Sequence, residues 1–273
     1  MLTIEQKKAR KLGIGGSDAA AICGVSKFRT PLQVYLDKIS DVEEEEEYNP
    51  VFERGHLLEG IIRLAFEKRM NMNVRVCNAT ITPAAFDEYF MLSNVDGIIT
   101  KQYKENCFVD DAIFEAKTSN IWTKDFYLGE IPNDYFVQVQ HYMHSRALNM
   151  SYIAVLSSDQ RYFDFVCRLL NICNIDDVAE AIKEDIEIHE VPRDDVFIKD
   201  MIEVQKNFWN NHVLKRIPPD PVNVSDMNIL FPKDIKNKSV VASQAVIDLC
   251  MQRLMFSKKT KVFQKEIDPI DKG

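Results

Sequence analysis

Residues 93–119 read S-N-V-D-G-I-I-T-K-Q-Y-K-E-N-C-F-V-D-D-A-I-F-E-A-K-T-S. Two β-rich runs, Phe90–Thr100 and Phe108–Thr118, flank the polar segment Lys101–Asn106, which is the pattern of a hairpin. On the second run residues two apart share a face. Glu115 and Lys117 therefore point one way, away from the core, and Phe114 and Ala116 point into it. Such a pair on a solvated face is an ordinary surface ion pair worth little. An acid and a base that are buried together, by contrast, are costly without a task. Asp96 lies on the partner run beside Gly97, whose missing side chain lets another group approach the backbone. Asp, Glu and Lys converging there would hold a divalent metal and position a water beside it.

At 273 residues the chain is long enough for a full core, as one large domain or a domain with an appendage. Its 46% hydrophobic and 28% charged residues are the balance of a soluble globular protein. No apolar run approaches membrane-spanning length, and M-L-T-I-E-Q-K-K lacks a signal peptide's apolar core, so a cytoplasmic location is expected. Six cysteines show no C-x-x-C spacing and read as reduced, buried thiols. A net charge of −8 argues against a generally basic nucleic-acid footprint. Much of the acid sits in one block, D-V-E-E-E-E-E over residues 41–47, which reads as an exposed loop, and basic clusters remain elsewhere.

Outward from the hairpin, the N-terminal L-T-I-E-Q-K-K-A-R-K-L reads as a short helix with Thr3 as cap and Gln6 completing a capping box. G-I-G-G-S-D-A-A-A-I-C-G follows: a glycine-rich turn, Ser17 as N-cap, then an alanine-rich helix. Glycines before a helix start expose N–H groups and form an anion site, although a plain turn and cap explains the same residues. Helices are expected over Pro31–Ile39 and Val51–Met70, and Glu59 and Arg63 on the second stand four apart as an ordinary ion pair would. A strand is expected over Val74–Thr82. Asn133 is expected to cap a helix running to Leu148, on which Gln138 and Tyr142 share a face with Tyr135. Tyr152–Ser157 and Tyr162–Leu169 read as a second hairpin, and Ile175–His189 and Asp195–Leu214 as two amphipathic helices. R-I-P-P-D-P breaks the chain, and Ser239–Phe263 reads as a last helix. The order predicts an α/β sandwich around a mixed sheet.

Four phrases in this order, R-K-L-G-I-G-G-S-D-A-A-A-I, R-G-H-L-L-E-G, V-D-G…F-E-A-K-T and Q-V-Q-H-Y-M, together resemble the YqaJ-like viral recombinase family. Those proteins are phage-type exonucleases related to the phage lambda exonuclease, within the PD-(D/E)XK nuclease superfamily. The likeness spans Ala9 to Pro219. It implies a PD-(D/E)XK nuclease-like central mixed β-sheet flanked by helices over residues 1–219, with residues 220–273 a helical C-terminal extension.

The resemblance also implies roles. Asp96 and Glu115, with the carbonyl of Ala116, match the metal-binding set, and Glu59 matches a helix-borne glutamate that assists the metal or the water. Lys117 matches the lysine that orients the attacking water. Gln138 matches the glutamine of a Q-x-x-x-Y motif with Tyr142 as its partner, and Gln140 belongs to the same phrase. Arg10 and Ser17 match phosphate-binding residues. The implied cofactor is Mg²⁺, with Mn²⁺ able to substitute, since carboxylate oxygens select hard cations. The implied activity is 5′→3′ resection of double-stranded DNA ends by two-metal hydrolysis, beside a single-strand annealing recombinase and in a ring-shaped trimer of this chain. Alternatives are an endonuclease of the same superfamily or a catalytically silent DNA-binding or assembly module. The cysteine spacings argue against an iron–sulfur Cas4-like form, and the intact Asp/Glu/Lys set argues against the silent module.

Overall fold

The computed structural model describes residues 4–40, 50–77, 88–104, 107–119, 131–232, 241 and 243–267. The chain divides into two compact units, Met1–Asp226 and Met227–Gly273. The N-terminal region holds α1 (Ile4–Lys11), α2 (Gly16–Ile22), α3 (Pro31–Ile39) and α4 (Pro50–Met70). α3 starts where its chemistry dictates: Thr30 Oγ1 accepts from Gln33 N–H at 3.3 Å and Gln33 Oε1 from Thr30 N–H at 2.9 Å, with Pro31 at the first helical position.

β1 (Asn73–Val76), β2 (Gly97–Lys104) and β3 (Cys107–Ser119) form an antiparallel run, with β2 and β3 paired as the hairpin expected from the sequence. α5 (Asn133–Arg146) lies between β3 and β4 (Met150–Ser157), which are parallel and so require a crossover. α6 (Gln160–Leu170) and α7 (Ile175–Ile182) lead to β5 (Ile186–Pro192), antiparallel to β4. α8 (Asp195–Phe208) continues into a π-helical turn at Trp209–Val213, then come α9 (Val224–Leu230) and, in the second unit, α10 (Gln244–Ile267). The sheet order is β1-β2-β3-β4-β5, a mixed sheet.

The period-2 alternation of the strands fills two cores. Ile99, Ala112, Phe114, Ala154 and Leu156 pack on one face against Leu58, Ile61, Ile62, Ala65 and Phe66 of α4 and against Val166, Val178 and Ile182 of α6 and α7. Their strand neighbours Ile98, Ile113, Ile153 and Val155 pack on the other face against Val139, Tyr142 and Met143 of α5. Both faces of the strand carrying Glu115 and Lys117 are therefore covered. The expectation that this pair faces away from the core is corrected: it lies under α5, with Glu115 2% exposed.

Several expectations change. Tyr162–Leu169 is helix, not strand, because Asp159 caps it (Tyr162 N–H to Oδ1, 2.8 Å) and Tyr162, Phe163, Val166, Leu169 and Leu170 recur at helical spacing onto the core. The helix expected over Ile175–His189 stops at Ile182, and the alternation I-E-I-H-E-V then pairs with β4 as β5. Phe90–Asp96 is not part of β2; Met91 makes only an isolated parallel bridge to Ile14. Pro132, not Asn133, occupies the cap position of α5. None of the six cysteines is buried, though all are free thiols. Thr3, the acidic block 41–47, most of the strand expected beyond Val76 and the start of the last expected helix lie outside the described residues. Among the described residues no helix is long and apolar enough to cross a membrane.

His141 ties α5 to its surroundings. It is fully buried, with Nε2 2.9 Å from Leu92 O and Nδ1 3.1 Å from Gln205 Oε1. A neutral imidazole has one N–H for these two oxygens. Turning the Gln205 amide over gives Nδ1 a donor and pairs the otherwise orphaned Gln205 Nε2. Burial drives the His141 pKa down to about 4, below the ~6.5 of an unfolded chain. The unfolded state takes the proton first, so stability is lost as pH falls from about 6.5 through 4. The melting temperature of the wild type is expected to drop across that window more steeply than that of His141→Gln; parallel curves would contradict this.

Candidate active site

The site forms where β2 stops covering β3. The two strands pair up to Gly97 opposite Phe114, so from Glu115 onward that edge of β3 is no longer paired by β2. Asp96, the residue just before β2, fills the gap: its Oδ2 accepts from the Ala116 N–H at 2.9 Å. A strand residue's N–H and C=O open on the same edge, so the Ala116 carbonyl faces this gap as well. Gly97 is required for a different reason from the one its sequence context offered. A Cβ there would lie 2.4 Å from Val74 Cγ1, so the close approach comes from β1 in the core rather than from a ligand.

Glu115 is 2% exposed. Its Oε1 accepts from Lys117 Nζ at 2.8 Å and from Gln138 Nε2 at 2.7 Å, and its Oε2 is buried with no hydrogen-bond partner. Burial, then the neighbouring Asp96 and in smaller part Glu59, push its pKa up to about 8 against the pull of Lys117. Lys117 is itself disfavoured by burial, but Glu115 and Asp96 outweigh that and hold its pKa above the ordinary lysine value. The ammonium also contacts Gln138 Oε1 at 3.2 Å and lies 4.9 Å from the centre of the Tyr135 ring. Gln138 Nε2 further reaches Tyr142 Oη at 3.2 Å.

The structure thus brings Asp96, Glu115, Ala116, Lys117, Gln138 and Tyr142 together, with Glu59 near enough to act on the Glu115 charge. Arg63 is found with Glu67 at 2.7 Å. Gln140 is elsewhere: its amide is fully buried between Pro192 O (2.8 Å) and the Asp194 N–H (2.9 Å), where it ties α5 to the β5–α8 connection. Arg10 and Ser17 do meet, with Nη2 3.5 Å from Oγ, beside the glycine turn. Ser17 is not the N-cap of α2. Gly15 holds that position, and Asp18 Oδ2 accepts its N–H at 3.2 Å, so the Ser17 hydroxyl stays exposed.

Two further contributors, Tyr135 on the face of Gln138 and Gly16 in the glycine phrase, stand in the sequence readings but without a role assigned to them. Tyr135 covers Lys117 because it stands three residues before Gln138 on the inner face of α5. Gly16 lets α2 press onto that helix: a Cβ there would lie 2.6 Å from Tyr142 Cε1 and 2.9 Å from Gln138 Cγ. The glycine phrase and the Q-x-x-x-Y phrase are one packed unit.

The fit of a divalent cation can be judged from the donors. Among the described residues no three Asp, Glu, His or Cys side chains gather into a ready-made metal cage. What is present is two carboxylates, Asp96 and Glu115, a main-chain carbonyl on the same edge, and a buried carboxylate oxygen without a partner. Oxygen donors, the negative charge of Asp96 and Glu59 that adds to burial in lifting the Glu115 pKa, and an orphaned Oε2 suit a hard cation, one that binds few protein ligands and keeps waters, as Mg²⁺ does.

A model of the YqaJ-like viral recombinase domain matches residues 5–148, more than half of the chain. YqaJ of Bacillus subtilis (strain 168) is 32% identical over 208 residues, covering 75% of this chain and 54% of that protein. The chain therefore spans about half the length of the curated relative it matches. Among solved structures, an alkaline exonuclease (LHK-Exo) from Laribacter hongkongensis superposes with a TM-score of 0.56 at 17% identity, over 79% of this chain and 94% of that one. The same exonuclease in complex with dAMP gives a TM-score of 0.57 at 18% identity, with the same coverage. A phage related exonuclease from Haemophilus somnus 129PT gives 0.50 at 14%, over 77% and 99%. The fold is that of these exonucleases, and by the family match the chain belongs to the YqaJ-like viral recombinase domain family.

Proposed function

We propose that the chain is a divalent-cation-dependent exonuclease that degrades one strand of duplex DNA from its ends, 5′→3′. The observation that carries this reading is Glu115, buried with an unpartnered oxygen between Asp96 and the Lys117–Gln138 pair. A structural ion pair is as a rule fully hydrogen-bonded, and a surface pair would not be buried. Asp96, Glu115 and the Ala116 carbonyl, assisted by Glu59, are the groups that would hold Mg²⁺ or Mn²⁺. When bound, two such ions supply a water acidic enough to attack at neutral pH and neutralise charge on the phosphoryl oxygens.

The chain's own groups do the rest. Lys117 is kept charged by Glu115 and Asp96, holds the attacking water and faces the charge that develops on the phosphate. Gln138 bonds both Glu115 and Lys117 and fixes their spacing, with Tyr142 and Tyr135 bracing the amide and the ammonium. Arg10 and Ser17 receive the 5′-terminal phosphate, since a guanidinium grips a phosphate through two parallel hydrogen bonds. The setting we propose is recombination in the cytoplasm of a bacterium or phage-infected host. There a single-strand annealing recombinase would take the exposed strand, and a ring-shaped trimer of this chain would retain the DNA.

The test compares end-labelled linear duplex with a covalently closed circle. Linear DNA is expected to be shortened with Mg²⁺ and to persist in EDTA, and the circle to persist in both. Cutting of the circle at the same rate would replace an exonuclease with an endonuclease, and no cleavage of either would leave a DNA-binding module.

A further inference from the structure

We propose that Asp18 is a positioning residue for end recognition: through a buried pair with Lys38 it fixes the turn that carries Arg10 and Ser17, and so sets the preference for a 5′-phosphorylated end. This inference rests on the terminal-phosphate reading of Arg10 and Ser17 given above.

Asp18 is 1% exposed, and both its oxygens are in use. Oδ2 accepts from Lys38 Nζ at 2.7 Å and from the Gly15 N–H at 3.2 Å, and Oδ1 accepts from Arg29 Nη1 at 2.9 Å. The Lys38 side chain is equally buried, and its ammonium makes a second bond, at 2.7 Å, to the main-chain oxygen of Arg10. One buried ion pair therefore grips the chain on both sides of the glycine turn, at Arg10 before it and at Gly15 after it. Arg10 and Ser17 stand seven residues apart on the two sides of that turn, with their side chains 3.5 Å apart. The middle of the same turn is pinned by Ile14, whose N–H donates to Phe90 O at 2.6 Å and whose oxygen accepts from the Leu92 N–H at 2.8 Å; the Asp18–Lys38 pair adds the side-chain grip at its two ends, where Arg10 and Ser17 stand.

The energetics favour a task over stability alone. Burying a carboxylate and an ammonium carries a desolvation penalty that their attraction repays only with good geometry and full hydrogen bonding, and a well-packed apolar pair often serves as well. Here the geometry is used to place a backbone. Nor does the carboxylate repel an incoming phosphate, because Lys38 and Arg29 neutralise it and hold its pKa below the usual carboxylate value despite burial. Arg29 is also tied to Asp37 of α3 at 3.3 Å, which anchors the cluster to a second point of that helix. A positioning group needs such a rigid surround.

The experiment compares digestion of 5′-phosphorylated and 5′-hydroxyl duplex ends by the wild type, by Asp18→Leu/Lys38→Met and by Arg10→Ala. The double substitution removes both buried charges together, and Arg29, the other partner of Asp18, is a third exposed and keeps Asp37, so no ion is left both buried and unpaired. Melting temperature and digestion of 5′-hydroxyl ends, which do not use the phosphate, monitor the fold. The wild-type advantage on phosphorylated ends is expected to fall by about tenfold in the double variant, chiefly in KM, with hydroxyl-end digestion kept. A double variant that melts like the wild type and keeps the full phosphate advantage overturns the inference, as does equal loss on both ends. Arg10→Ala separates the two layers of the claim. If it keeps the phosphate advantage, the terminal-phosphate reading itself fails; if it loses the advantage while the double variant does not, only the role of Asp18 and Lys38 fails.

Discussion

Lys117→Ala is expected to slow cleavage of duplex DNA by about 10³-fold while leaving DNA binding and, in Mg²⁺, the melting temperature close to wild type. Lys117 is the cation paired with Glu115, and it is held from three sides: by Glu115 Oε1 at 2.8 Å, by Gln138 Oε1 at 3.2 Å and by the Tyr135 ring at 4.9 Å. So fixed, the ammonium needs no rearrangement when charge develops on the phosphate, which is where electrostatic catalysis draws its size. A divalent cation would still balance Glu115 and Asp96 in the variant, so binding and folding need not suffer. Single-turnover rates at saturating protein separate the chemical step from binding. A variant that retained a tenth or more of the wild-type rate would remove Lys117 from the chemistry.

The second large effect comes from outside the cluster of acids. Gly16→Ala would place a Cβ 2.6 Å from Tyr142 Cε1, 2.7 Å from Tyr142 Cζ and 2.9 Å from Gln138 Cγ. The Tyr142 ring is buried at 5% exposure and cannot swing aside, so α2 must lift from α5 or Gln138 must move. Overpacking of this kind costs about 1–3 kcal/mol. The rate should suffer more than the fold, because Gln138 sets the spacing of Glu115 and Lys117, and a shift of about 1 Å in such a group costs on the order of 100-fold. Thermal melting and single-turnover cleavage of the same preparation test this together. Loss of rate in simple proportion to loss of folded protein would contradict it.

The β2–β3 hairpin and the start of α3 were legible because their signals are local. Alternation, a polar turn, and Thr30 with Gln33 around a proline need no knowledge of the rest of the fold. Tyr162–Leu169 was misread because its aromatic and β-branched content suits a strand, and only the partner surface decides that its period is helical. Ile175–His189 failed for the opposite reason: the turn at Lys183–Asp185 ahead of β5 contains no glycine or proline to mark it, and the identity of β5 comes from pairing with β4. For the site, Asp96, Glu115, Lys117, Gln138 and Tyr142 could be named from motifs. Their burial could not, since it follows from α5 crossing over the strand face. The Asp18–Lys38 pair was invisible as well, because the two residues are twenty apart and meet only when α2 and α3 pack. A lysine on the apolar side of α3, near Tyr35 in sequence, was the available hint.

We propose that Glu115 and its neighbours hold a cation for hydrolysis of DNA ends. Release of nucleotides from an end-labelled linear duplex is followed for the wild type and for Glu115→Gln, each with Mg²⁺ and in EDTA. Gln is nearly isosteric and keeps a hydrogen-bond acceptor for Lys117, but it cannot supply a carboxylate. The wild type is expected to release nucleotides in Mg²⁺ alone, and Glu115→Gln to release none although it still binds the duplex. Release in EDTA, or a wild-type rate from Glu115→Gln, would contradict it.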